Sequence, residues 1–237
     1  MNSASFSSWI MRELVMVALA VPTVAVPAQD VAYAASLSDL DSTTQSVVAK
    51  EIARARDRGL PIDPLIAKVR EGRLKRAPGS RIRAAVERLS ERLSAARDAL
   101  GAASSPEEVT AGADAIAAGA QPASLRAVRA ASSRSVTAPI GALAQLLASG
   151  VAETKAMEMV LALLRRNASP AVLIALGNQV EADVGSGLSA SASAAFRLRA
   201  LENQLNGAVA TDAANFGNEN ATANTNNGTG SPPRRKP

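Results

Sequence analysis

Between residues 43 and 206 the chain is punctuated at nearly even intervals, and this punctuation restricts its fold more than any other feature. Apolar stretches stop at Gly59-Leu60, Gly119-Ala120, Ser135-Val136, Gly150-Val151 and Asn167-Ala168. Gly or Asn tolerates the left-handed backbone that closes a helix, and the apolar residue after it packs back onto the last turn. New stretches begin at Asp63-Pro64, Ala77-Pro78, Ser105-Pro106, Gln121-Pro122, Ala138-Pro139 and Ser169-Pro170. Proline suits the first turn of a helix, where its missing N–H would be unpaired anyway. Pro106, Pro122 and Pro139 are 16 and 17 residues apart and Pro170 lies 31 further on, which places an unmarked start near Glu153. Units this short cannot cover their own apolar faces, so neighbours must cover them. Short connections make consecutive helices antiparallel. The expectation is an all-α array of about eight short antiparallel helices, a helical repeat or irregular bundle with one helix per unit.

Apolar spacing supports helices over strands. Ile82, Val86, Leu89, Leu93, Ala96 and Leu100 step by three and four along one face. The segment from Ala156 to Leu164 is apolar nearly all round and is expected at the centre of the fold. Ala194, Leu198, Leu201 and Leu205 form a last stripe, with a hinge at Gly185-Ser186-Gly187 before it. The chain holds three Phe, one Tyr and one Trp. Its core must therefore be assembled from small aliphatic side chains, without the large buried areas that aromatic rings supply.

The two ends read differently. Residues 14–26, LVMVALAVPTVAV, follow Arg12 and have the length of a signal-peptide apolar core, too short to span a bilayer. Val26-Pro27-Ala28 offers the small residues of a cleavage site, with Ala32-Tyr33-Ala34 as a second. The expectation is a signal peptide over 1–28, an N-terminal segment over 29–42, a helical domain over 43–206 and a disordered tail over 207–237. The mature protein would be exported, to the periplasm or the medium. The tail is rich in Asn, Gly and Thr, carries sequon-like Asn220 and Asn227, and ends in Arg234-Arg235-Lys236.

Charge is uneven. Residues 50–98 hold 14 bases and 7 acids, whereas residues 99–210 hold 8 of each. The densest part, Lys68, Arg70, Arg73, Lys75 and Arg76 followed by Arg81 and Arg83, reads as the basic surface of a helical hairpin. It is a candidate anion-binding region for a phosphate-rich polymer or an acidic membrane surface. Aromatic side chains that would stack on bases are not interleaved with it, which favours an ordinary solvated face.

Composition removes several chemistries. The chain has no Cys and no His. Disulfides, thiol nucleophiles and ordinary zinc sites are thereby excluded, and so is the commonest general base. No phosphate-binding glycine loop is present. A hydroxyl nucleophile would need a Lys base, and the adjacent Thr154-Lys155 do not face each other on a helix. Glu158, inside an otherwise apolar helix, could act as a buried general acid in a glycan-active enzyme, but pairing with Lys155, Arg165 or Arg166 accounts for it more simply. Ser105-Pro106-Glu107-Glu108 reads as a helix start in which Ser105 caps and Glu108 reaches back. No cofactor or metal is expected. The reading that remains is a non-enzymatic module whose partner is another envelope or secreted protein. An anionic polymer or membrane surface bound through residues 68–97 is the alternative.

Overall fold

The computed structural model describes residues 37, 38 and 40–203. The expected signal peptide and C-terminal tail, and Leu205 of the last stripe, lie outside them. Eight helices follow one another: α1 Ser42–Asp57, α2 Asp63–Leu74, α3 Gly79–Leu100, α4 Pro106–Ala117, α5 Pro122–Ala130, α6 Thr137–Ala148, α7 Glu153–Arg165 and α8 Pro170–Gly185. A ninth, α9, covers 190–203. No strand occurs among the described residues.

The punctuation works as local chemistry predicts. Gly59, Gly119, Gly150 and Asn167 all have positive φ, as do Gly187 and Arg76. After each of these six residues, the next N–H donates to the carbonyl five positions back, at 2.9–3.0 Å. That bond uses a carbonyl the helix end would otherwise leave unpaired. Leu60, Ala120 and Val151, each following such a turn, are buried. At the starts, Asp41 Oδ1 accepts the Thr44 N–H at 2.9 Å. Ser105 and Glu108 form the reciprocal capping pair, and Glu153 opens α7 where the spacing put an unmarked start. One expected stop is displaced: α5 ends at Ala130, and the buried Val136 caps the start of α6 instead of sealing the end of α5.

Tertiary packing corrects the repeat unit. Rather than one helix per unit, α4 packs on α6 and α6 on α8 as one layer, while α3 and α5, with α7 touching α5 lightly, form a second. The unit is a helix pair, and the period that matters runs from Pro106 to Pro139 to Pro170, 33 and 31 residues. A single helix sealed on one side by its sequence neighbour still exposes a flank, and only the helix two positions away can cover it. Two small residues set how closely the helices approach. A Cβ on Gly112 would lie 2.8 Å from the Ala96 side chain of α3, and one on Gly177 would lie 2.2 Å from Gln145 Oε1 of α6.

The centre of the array is α6, where Ile140, Leu143 and Leu146 are fully buried. This corrects the expectation for residues 156–164. Helix α7 buries Ala156, Met159, Val160 and Leu163, but Met157, Leu161 and Leu164 stay half-exposed because the second layer gives it little cover. No described helix is long and apolar enough to cross a membrane.

Candidate functional site

The basic segment is not one hairpin. Residues 50–98 run through α1, α2 and α3, and their charged side chains divide between two clefts and several structural clamps. Between α2 and α3 lies an open cleft of about 480 Å³ lined by Lys68, Lys75, Arg81 and Arg88, with Gly72, Ile82 and Ala85 in its walls. Glu71 is the acid in this cleft. It accepts from Lys68 Nζ at 2.6 Å and from Lys75 Nζ at 2.5 Å. The hydrogen bonds from Lys68 and then Lys75 hold its carboxyl down to about 2. The two lysines thus share one carboxylate and keep one positive charge between them, to which Arg81 and Arg88 add theirs.

Of the seven bases singled out from sequence, Lys68, Lys75 and Arg81 share this cleft. Arg70 and Arg73 stand on another side of α2, and neither lines the cleft. Arg76 occupies the left-handed position that ends α2 and is exposed. Arg83 turns the other way, donating from Nη1 to Thr44 Oγ1 of α1 at 2.6 Å. It lines a separate groove with Val47, Lys50 and Glu51. Arg88 was missed. It lies seven residues, two turns, after Arg81 and so on the same face, a spacing visible in the sequence.

Other bases of the segment hold loops. Arg97 donates to the carbonyls of Gly59 (3.0 Å), Ala102 (3.1 Å) and Ser104 (2.6 Å), tying the α1–α2 and α3–α4 connections together. Arg58 donates to Ser94 Oγ across the same junction. The planar guanidinium, with five donors in a fixed fork, suits such bridging better than a lysine.

Glu158 is exposed, its side chain 56% accessible, and pairs with Lys155 at 2.8 Å. The premise for a general acid, a buried carboxyl, is absent there. The buried acid is Glu108. Its Oε2 accepts the Ser105 N–H, its Oε1 accepts the Val136 N–H at 2.9 Å, and the same Oε1 lies 2.6 Å from Arg129 Nη2. Burial alone would raise this carboxyl, but the Val136 N–H, Arg129 and the Ser105 N–H outweigh it and keep its pKa below the ordinary value. Glu108 is therefore a charged clamp joining α4, α5 and the start of α6. Among the described residues no three acids cluster in a way that could hold a metal ion.

A second surface lies on the layer of α4, α6 and α8. A groove of about 470 Å³ runs between α6 and α8 over Ala138, Gly141, Ala142, Pro170 and Ile174. Ile174 is 51% exposed, one of five exposed large hydrophobic residues among those described, and it is the one that lines this groove. Gln145 forms one end, its Nε2 donating to Asn178 Oδ1 at 2.8 Å and to Glu181 Oε2 at 2.7 Å. Compared with known proteins, the chain matches no family model, no curated protein and no solved structure. Its chemistry must accordingly be argued from these two surfaces.

Proposed function

We propose that the protein is an exported, non-enzymatic interaction module that engages an envelope or secreted protein through the open face of α4, α6 and α8. The observation that carries this reading is the groove between α6 and α8, which leaves Ile174 exposed within a continuous helical surface. An exposed apolar groove framed by a few polar groups is the usual form of a helix-presenting or peptide-accepting surface. The export part rests on residues 1–28, and the test for it is the N-terminus of the accumulated protein, expected at Gln29. The interaction part has a clean test because the chain contains no cysteine. A photo-crosslinker attached to Gly141→Cys should give one discrete adduct in the producing cell. The same label on Arg126→Cys, on the other layer, should not. Equal adducts from both positions would end the assignment.

A second reading is favoured by the α2–α3 cleft, where four bases line one opening. It would hold an anionic polymer or membrane surface electrostatically, so binding should fall steeply with salt. Retention on a heparin-like polymer that survives charge reversal of Arg73 and Arg76, which do not line the cleft, but is lost on reversal of Arg81 and Arg88 would support a contact in this cleft.

A further inference from the structure

The two layers of the array differ in charge. Helices α4, α6 and α8 contain five acids and no base. Helices α3, α5 and α7 contain nine bases and five acids. Two of the five acids are consumed between layers: Glu108 pairs with Arg129 of α5, and Asp183 with Arg197 of α9 at 2.6 Å. The other three, Glu107, Asp114 and Glu181, are exposed, but Asp114 lies in the field of Lys68 of α2 and Arg92 of α3, which leaves Glu107 and Glu181 to mark the two margins. These two fall on the outward stripes of their helices: Glu107 on α4, and Glu181 on α8 one turn beyond Asn178. Between them, α6 lines the groove with Thr137, Ala138, Gly141 and Gln145, none of them charged. The face is thus apolar along its middle and acidic at both margins.

Gly141 is an independent sign. It sits in the interior of α6, where glycine costs about 0.5–1 kcal/mol relative to alanine. A Cβ there would meet no atom within 4 Å. Gly112 and Gly177 are required by neighbouring helices, but nothing among the described residues requires Gly141. A bare backbone in the floor of an apolar groove allows close approach by something outside the chain.

We propose that this face docks a basic, amphipathic segment of another polypeptide, resting on the reading of the face as an interaction surface. Its apolar side would enter the groove over Gly141 against Ile174, and its Lys or Arg side chains would reach the acidic margins at Glu107 and Glu181. A two-fold pairing of two copies would set these acids against each other. The chain's own basic terminus, Pro232-Pro233-Arg234-Arg235-Lys236, has no large aliphatic side chain to fill the groove.

The test is fluorescence anisotropy of the full chain with a labelled Leu/Lys peptide of about four helical turns and with its Leu/Glu counterpart. The Leu/Lys peptide should bind, and the Leu/Glu peptide should not. Gly141→Arg, which the open space around Gly141 accommodates, and Ile174→Asp should each weaken binding by about tenfold or more, the scale of losing an interface anchor. Glu107→Lys with Glu181→Lys should weaken it further while circular dichroism and melting remain those of the parent. If the Leu/Glu peptide binds instead, and Gly141→Arg blocks it, the face is an interaction surface but the basic partner is wrong. If neither peptide binds, or Gly141→Arg changes nothing, both ideas fall. Tighter binding after Arg234, Arg235 and Lys236 are changed to Glu would make the chain's own terminus the occupant and overturn the external partner. Self-association abolished by Gly141→Arg would do the same in favour of a second copy.

Discussion

The α1–α3 region and the α4–α6–α8 layer use charge in opposite ways. In the first, many bases are spent on the fold: Arg58 and Arg97 bridge connections, Arg83 holds α1, and Lys68 and Lys75 both close on Glu71. In the second, acids are few, yet three of them remain exposed beside an apolar groove. A high local density of charge therefore says little about binding, because long side chains near helix ends find carbonyls and carboxylates of their own. A sparse acidic charge on helices that carry no base of their own is the more informative signal.

The comparison is most directly broken at Glu108, where the acidic layer meets the second one. Glu108→Ala leaves Arg129 partly buried without its counter-charge and the Val136 N–H without an acceptor. Removing one partner of a buried pair costs about 3–5 kcal/mol, and urea unfolding should show a loss of that order. A loss under about 1 kcal/mol, typical of an exposed pair, would mean that the layers are joined by packing alone. Next comes the close approach between the layers. Gly112→Leu should destabilise by about 1–3 kcal/mol through overpacking against Ala96 and Leu100. Gly141→Ala should instead stabilise by about 0.5–1 kcal/mol. If both destabilise, Gly141 serves the fold and the groove loses its clearest mark.

Within the basic region, Arg97→Ala should cost about 1–2 kcal/mol, since it leaves the Gly59 and Ser104 carbonyls without their donor. Arg81→Ala, in the cleft, should stay within about 0.5 kcal/mol of the parent. Equal effects would erase the division between clamping and cleft-lining bases. The smallest perturbation is acid. Arg197 and then Ser193 hold the Asp183 carboxyl down to about 2 in the folded chain, below its ordinary 3.8. Its contribution to docking α9 on α8 is complete above about pH 4 and is lost as pH falls toward 2. Amide exchange over 190–203 should accelerate in that window before the rest of the array opens, and Asp183→Asn should remove the pH dependence.

Much of the fold was legible because its signals are local. A glycine or asparagine that must turn left-handed, a proline that must sit in a first turn, and Ser105 with Glu108 three residues later each act within a few residues. The site was less legible. Glu158 looked unusual because its sequence neighbours are apolar, yet it faces solvent beside Lys155. Glu108 looked like an ordinary cap, yet its second oxygen reaches 28 residues along the chain to Val136. Arg83 lay in the basic run but belongs to α1.

By itself, the sequence determined that the chain is helical, where most helices begin and end, and that its core is small-sided and aliphatic. Those properties follow from backbone conformation and from which side chains exist to be buried. Only the tertiary structure decided that the unit is a helix pair, that α6 and not α7 is central, and that the helices without a base, α4, α6 and α8, share one layer. Each depends on which helix covers which flank, and that is settled by contacts between residues some thirty positions apart, where periodicity within one helix carries no information.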